Sequence, residues 1–138
     1  VLEDMPHWLD RTPGIREFLE GSVLVPVPLH RKRIRSRGFN QSLWIANAFK
    51  KDLGDRVQVI EALTRTRNTE TQTEFDRFER KKNVKNAFAL KKKNGLNKQN
   101  KLILIDDVYT TGATLDECAK ALTQEGFQNV NVATLGHG

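Results

Sequence analysis

The chain has 138 residues, 38 % of them apolar, enough for one compact domain (1–138) that buries about 68 % of the surface its unfolded form would expose. That composition excludes a disordered chain, and no apolar run approaches the ~20 residues of a membrane span or resembles a secretory signal. Cys118 is the single cysteine and His7, His30 and His137 are scattered, which excludes an internal disulfide, argues against a zinc site and makes a reducing cytoplasm the default compartment. An opening on Val1 rather than methionine reads as a fragment or a trimmed chain.

The net charge is +6, and the excess is clustered. Arg31, Lys32, Arg33, Arg35 and Arg37 crowd one stretch, and the nine basic residues from Arg80 to Lys101 are interrupted by no acid. Such clusters suit a polyanion, either nucleotide phosphates or a nucleic-acid backbone. Lys91, Lys92 and Lys93 read more simply as a solvated turn.

Residues 1–22, with Pro6, Trp8 and Pro13, read as a short element packed over a sheet. The β-branched run at 23–27 predicts a strand ending near Pro26, because proline donates nothing to a ladder. After an unpatterned basic loop, residues 40–54 predict a helix. Asn40 or Ser42 caps it, Leu43, Ala46, Phe49 and Leu53 recur at helical spacing, Trp44 and Phe49 face the core, and Gly54 stops it. Residues 57–63 alternate in part and predict a second strand; 64–83 are polar and predict a long mobile loop with a helical turn near 75–82. A strand at 86–90 precedes the clearest one, at 101–106, whose continuous apolar run expects cover on both faces. Thr114 and Glu117 match a capping box for a helix with Leu115, Cys118, Ala119 and Leu122 on its inner face, stopping at Gly126. Residues 130–135 predict a last strand, so strands and helices alternate as in an α/β fold with a mainly parallel twisted sheet.

The chemistry concentrates in "LILIDDVYTTGATL", residues 102–115. In open α/β sheets, ligands bind beyond the carboxyl ends of the strands. Gly112 allows close backbone approach there, Thr110, Thr111 and Thr114 offer hydroxyls, and a helix start aims its free N–H groups at the loop, as a monophosphate cradle requires. No lysine follows the glycine and no G-x-G-x-x-G occurs, which excludes a triphosphate loop and a dinucleotide fingerprint. Asp106 and Asp107 suit adjacent sugar hydroxyls, a water-held Mg²⁺ and positive charge developing on a sugar ring. A ribose 5-phosphate satisfies both halves. Tyr109 either stacks over the sugar or lies beside it.

This stretch resembles the 5-phosphoribosyl-1-pyrophosphate (PRPP) motif of type I phosphoribosyltransferases. With "VPVPLHRKRIRSRGFNQ", "QTEFDRFER" and "NVKNAF", in order from about residue 23 to 135, the chain resembles the ComF family, which is linked to competence and DNA uptake. The resemblance implies a type I phosphoribosyltransferase fold, with PRPP held by Asp106, Asp107, Val108, Tyr109, Thr110, Thr111, Gly112, Ala113 and Thr114. It places the pyrophosphate loop at Leu29, His30, Arg31 and Lys32, and a closing flexible loop at Gln72, Arg77, Arg80 and Asn83. "RGFNQ" is a family signature with no role evident from its residues. Many members carry an amino-terminal four-cysteine zinc ribbon, and this chain has none; Phe75 and Asp76 stand where Leu-Ser is common.

The implied chemistry is attack by an acceptor on the ribose C1 carbon of Mg²⁺-bound PRPP. Asp106 and Asp107 lie near the developing charge, Arg31 and Lys32 face the departing pyrophosphate, and Arg77, Arg80 or Lys81 closes the site. The expected catalytic residues are Asp106, Asp107 and Arg80, in a cytoplasmic protein whose partners are PRPP, single-stranded DNA and competence machinery. Two alternatives stand beside this. One is a non-catalytic PRPP-sensing module that binds single-stranded DNA through Arg33, Arg35 and Arg37, although these lack interleaved aromatics. The other is a nucleobase salvage enzyme, for which no base-recognising hood is visible.

Overall fold

The computed structural model describes residues 14–28, 40–65, 87–109 and 112–137, with the backbone alone at 107–109 and 135–137. Helix α1 (Ile15–Leu19) leads into strand β1 (Ser22–Pro26), then helix α2 (Gln41–Leu53) and a 3-10 turn (Gly54–Arg56). Strands β2 (Gln58–Val59), β3 (Leu63–Arg65), β4 (Phe88–Leu90) and β5 (Lys101–Tyr109) follow, then helix α3 (Ala113–Thr123) and strand β6 (Val130–His137).

Four strands form a parallel sheet in the order β2-β1-β5-β6, while β3 and β4 make a separate antiparallel pair. The apolar runs of β1 and β5 are explained by cover on both faces. Leu102 and Leu104 share a core with Leu115, Cys118 and Leu122 of α3, whereas Ile103 and Ile105 pack with Ile45, Phe49 and Leu53 of α2. Leu19 of α1 joins this second core, with Ile15 and Phe18 against it; of the element expected at 1–22, residues 1–13 lie outside the described residues. The connection β1–α2–β2 steps one way from the centre and β5–α3–β6 the other, so right-handed crossovers place the two helices on opposite faces.

Several expectations are corrected. The buried stripe of α2 runs through Ser42, Ile45, Ala46, Phe49 and Leu53; Leu43 is half-buried and Trp44, off the stripe, is 46 % exposed rather than core. The strand expected at 57–63 is split. Only Gln58 and Val59 pair with β1; Ile60 still donates to the Leu24 carbonyl, and a close Ala62 N–H to Ile60 carbonyl bond then turns the chain, so that Leu63–Arg65 joins β4. Thr64 and Arg65 are therefore strand residues rather than the start of a loop. The strand at 101–106 continues to Tyr109 because β6 runs equally far, to His137, and the ladder satisfies backbone groups that a loop would have to pair elsewhere. Helix α3 has no capping box: Gly112, left-handed at φ 78°, occupies the cap, which puts Thr114 inside the first turn. Trp8, Phe39 and the rest of 1–13, 29–39 and 66–86 lie outside the described residues, including the helical turn expected at 75–82 and Asn86 of the strand expected at 86–90.

Candidate sugar-phosphate site at the carboxyl edge

In a doubly wound sheet, a crevice opens where adjacent strands send their following helices to opposite faces. Here those strands are β1 and β5, paired from Ser22 with Lys101 to Pro26 with Ile105. Just past the end of this shared ladder lie Val27 on one side and Asp106 on the other. The Val27 N–H donates to the Ile105 carbonyl at 2.9 Å, which holds the rim of the crevice together.

Asp106 is half-buried, and its Oδ1 accepts a hydrogen bond from the Ser42 hydroxyl at 3.1 Å. Ser42 is 5 % exposed and lies in the first turn of α2. That turn is fixed by Asn40, whose Oδ1 accepts from the N–H groups of Ser42 (2.9 Å) and Leu43 (3.4 Å), and whose Nδ2 donates to the Val27 carbonyl (3.1 Å). Of the two capping candidates, Asn40 is therefore the cap. Opposite, three residues separate β5 from α3, with Gly112 buried at the cap of that helix; Ala113 is buried and Thr114 half-buried in the first turn. The positive end of α3 thus faces the same edge as Asp106.

On the α2 face a cavity of about 220 Å³ is lined by Ile15, Phe18, Phe49 and Val132, with Asp106 and Thr134 as polar members. Those walls are mostly apolar and do not suit a phosphate.

Of the expected ligands, Asp106, Gly112, Ala113 and Thr114 are brought to one edge, and the backbone of Asp107, Val108 and Tyr109 continues β5 towards it. Thr110 and Thr111, the pyrophosphate-loop residues Leu29, His30, Arg31 and Lys32, the basic residues Arg33, Arg35 and Arg37, and Gln72, Arg77, Arg80 and Asn83 lie outside the described residues. Sequence reasoning missed the tie between Ser42 and Asp106; the unexplained "RGFNQ" signature, which ends one residue before Ser42, was its only trace. Cys118 is core, as expected, with burial as the main cause of a thiol pKa far above the ordinary value. Lys91, Lys92 and Lys93 are exposed, as a solvated turn should be. Among the described residues, no helix is long and apolar enough to cross a membrane, and no group of three or more His, Cys, Asp or Glu could hold a metal ion.

This arrangement is the type I phosphoribosyltransferase fold. The chain superposes on the purine phosphoribosyltransferase of Pyrococcus horikoshii with a TM-score of 0.55 (15 % identity, 99 % of this chain and 72 % of that one). On a hypoxanthine phosphoribosyltransferase of Staphylococcus aureus the TM-score is 0.58 (14 % identity, 99 % and 65 %). At such identities the likeness is one of fold. No protein-family model matches the chain. It is 33 % identical over 137 residues to Competence protein F of Haemophilus influenzae, covering 91 % of this chain and 59 % of that protein. It is 40 % identical over 110 residues to DNA utilization protein YhgH of Escherichia coli (79 % and 46 %), and 36 % identical over 104 to Competence protein ComFC of Bacillus subtilis (75 % and 39 %). The chain spans about half the length of the curated relatives it matches, and it is a homologue of this ComF group.

Proposed function

We propose that the chain binds PRPP at the carboxyl edge of β5 and transfers its phosphoribosyl group to an acceptor, in a cytoplasmic role linked to competence and incoming single-stranded DNA. One observation carries the reading: Asp106 and the Gly112-capped start of α3 converge at the β1/β5 crevice, acid at one end and helix dipole at the other. The 5-phosphate meets the backbone N–H groups at the start of α3, and the ribose hydroxyls donate to the acids.

The carboxylates of Asp106 and Asp107 suit Mg²⁺ held through water, with the oxygens of PRPP as the remaining ligands. When bound, the ion neutralises charge on the pyrophosphate. The residues of this chain then orient the sugar and stabilise charge at C1, as the C1–oxygen bond breaks, pyrophosphate leaves with the bonding pair and the acceptor takes its place.

PRPP with Mg²⁺ at about a hundredfold excess over its Kd stabilises the fold by ~2.7 kcal/mol, a rise in melting temperature on the order of 10 °C. Asp106→Asn combined with Asp107→Asn abolishes that rise. A parent protein whose melting curve ignores PRPP rejects the site.

A PRPP-sensing, DNA-binding module is the second reading. Its support is the relatives' names, two of them competence proteins and one a DNA utilization protein, together with the net charge of +6.

A further inference from the structure

We infer that Asn40 and Ser42 are positioning residues for the Asp106 carboxylate, an inference that rests on the sugar-phosphate reading of this edge. The basis is a closed circuit of hydrogen bonds through three elements. The Val27 N–H donates to the Ile105 carbonyl within β5. The Val27 carbonyl accepts from Asn40 Nδ2 at 3.1 Å, and Asn40 Oδ1 accepts from the Ser42 N–H at 2.9 Å. The Ser42 hydroxyl then donates to Asp106 Oδ1 at 3.1 Å, one residue from where the circuit began.

A serine in the first turn of a helix ordinarily bonds its own backbone or water. Ser42 is nearly buried and spends its donor on a carboxylate 64 residues away in sequence. A hydroxyl–carboxylate bond is charge-assisted, so it restrains the side chain of Asp106 and fixes where one of its oxygens lies before any ligand arrives. A sugar hydroxyl then meets an acceptor already in place, which removes a rotamer-ordering cost from binding. Asn40 acts one step back. Without its two-sided grip, the first turn of α2 is fixed neither to β1 nor in the register that delivers Ser42.

The test is the Kd for PRPP with Mg²⁺, read by titration calorimetry beside each variant's ligand-free melting temperature. Ser42→Ala weakens binding by about tenfold, as loss of an outer-shell partner typically does, and Ser42→Thr, which keeps the hydroxyl, stays within about threefold of the parent. Leu53→Val, in the last turn of the same helix, lowers the melting temperature and leaves Kd within about twofold, which separates positioning from general loosening. If Ser42→Ala does not fold, Ser42→Cys carries the test, because it keeps the volume and loses most of the donor strength. A parent that binds while Ser42→Ala binds equally well overturns the positioning role and leaves the site standing, as does Ser42→Thr as weak as Ser42→Ala. A parent that does not bind PRPP overturns both.

Discussion

Cys118 shows how far one side chain's surroundings set its chemistry. It is fully buried among β5 and α3 residues, and burial pushes its thiol far above the ordinary value of 9.0; Asp106 and Glu117 add to the rise and Arg65 opposes it. A nucleophile needs the opposite shift, so Cys118 belongs to packing. The linkage has a definite sign. Above about pH 9 the unfolded thiol ionises while the folded one keeps its proton, so the folded state binds more protons and stability falls as pH rises, by about 1.4 kcal/mol per unit for this group. Cys118→Ala is less stable than the parent at about pH 8, and by about pH 10.5 that gap narrows by roughly 2 kcal/mol in urea unfolding. A gap that does not change with pH contradicts the buried, protonated thiol.

At the scale of elements, legibility followed the length of the pattern. Strand β5 was plain because a strand covered on both faces writes one continuous apolar run, and Pro26 marked the end of β1 through its missing N–H. The division of 57–65 between two sheets was not legible, because the partner that draws Leu63–Arg65 away lies about 25 residues later and leaves no local mark. The start of α3 misled for another reason: Thr114 and Glu117 have capping-box spacing, yet a left-handed Gly112 already occupies the cap. For the candidate site, the acids and the glycine were legible as a motif, while the Ser42 donor was not, since its bond to Asp106 exists only once α2 packs on β5. The conformation of Gly112 yields a prediction. Gly112→Ala costs about 1–2 kcal/mol, the penalty of a Cβ in the left-handed region, and Gly112→Asn costs less because asparagine tolerates it. Equal urea midpoints for Gly112→Ala and the parent show that the cap is not held left-handed.

Across the whole molecule, two basic clusters start from different ends of the sheet. Lys91, Lys92 and Lys93 are exposed in the connection that enters the amino end of β5. Arg31, Lys32, Arg33, Arg35 and Arg37 lie outside the described residues, in the sequence between Pro28, two residues past β1, and Asn40, whose Nδ2 donates to the Val27 carbonyl. Charge density on a short tethered stretch favours a phosphate backbone more than the same charge on an open turn, because fewer side chains must be gathered. On the DNA-binding reading proposed above, Arg33 and Arg35 are therefore expected to contribute more to single-stranded DNA binding than Lys92 and Lys93. Each phosphate contact contributes ~0.7 to the slope of log affinity against log salt, so about five contacts lose roughly a hundredfold between about 50 and 200 mM salt. Arg33→Glu with Arg35→Glu flattens that slope by roughly two contacts' worth, whereas Lys92→Glu with Lys93→Glu lowers net charge equally and flattens it less. Equal losses from both pairs would mean that net charge alone attracts the strand, and affinity that ignores salt would rule out phosphate contacts as its source.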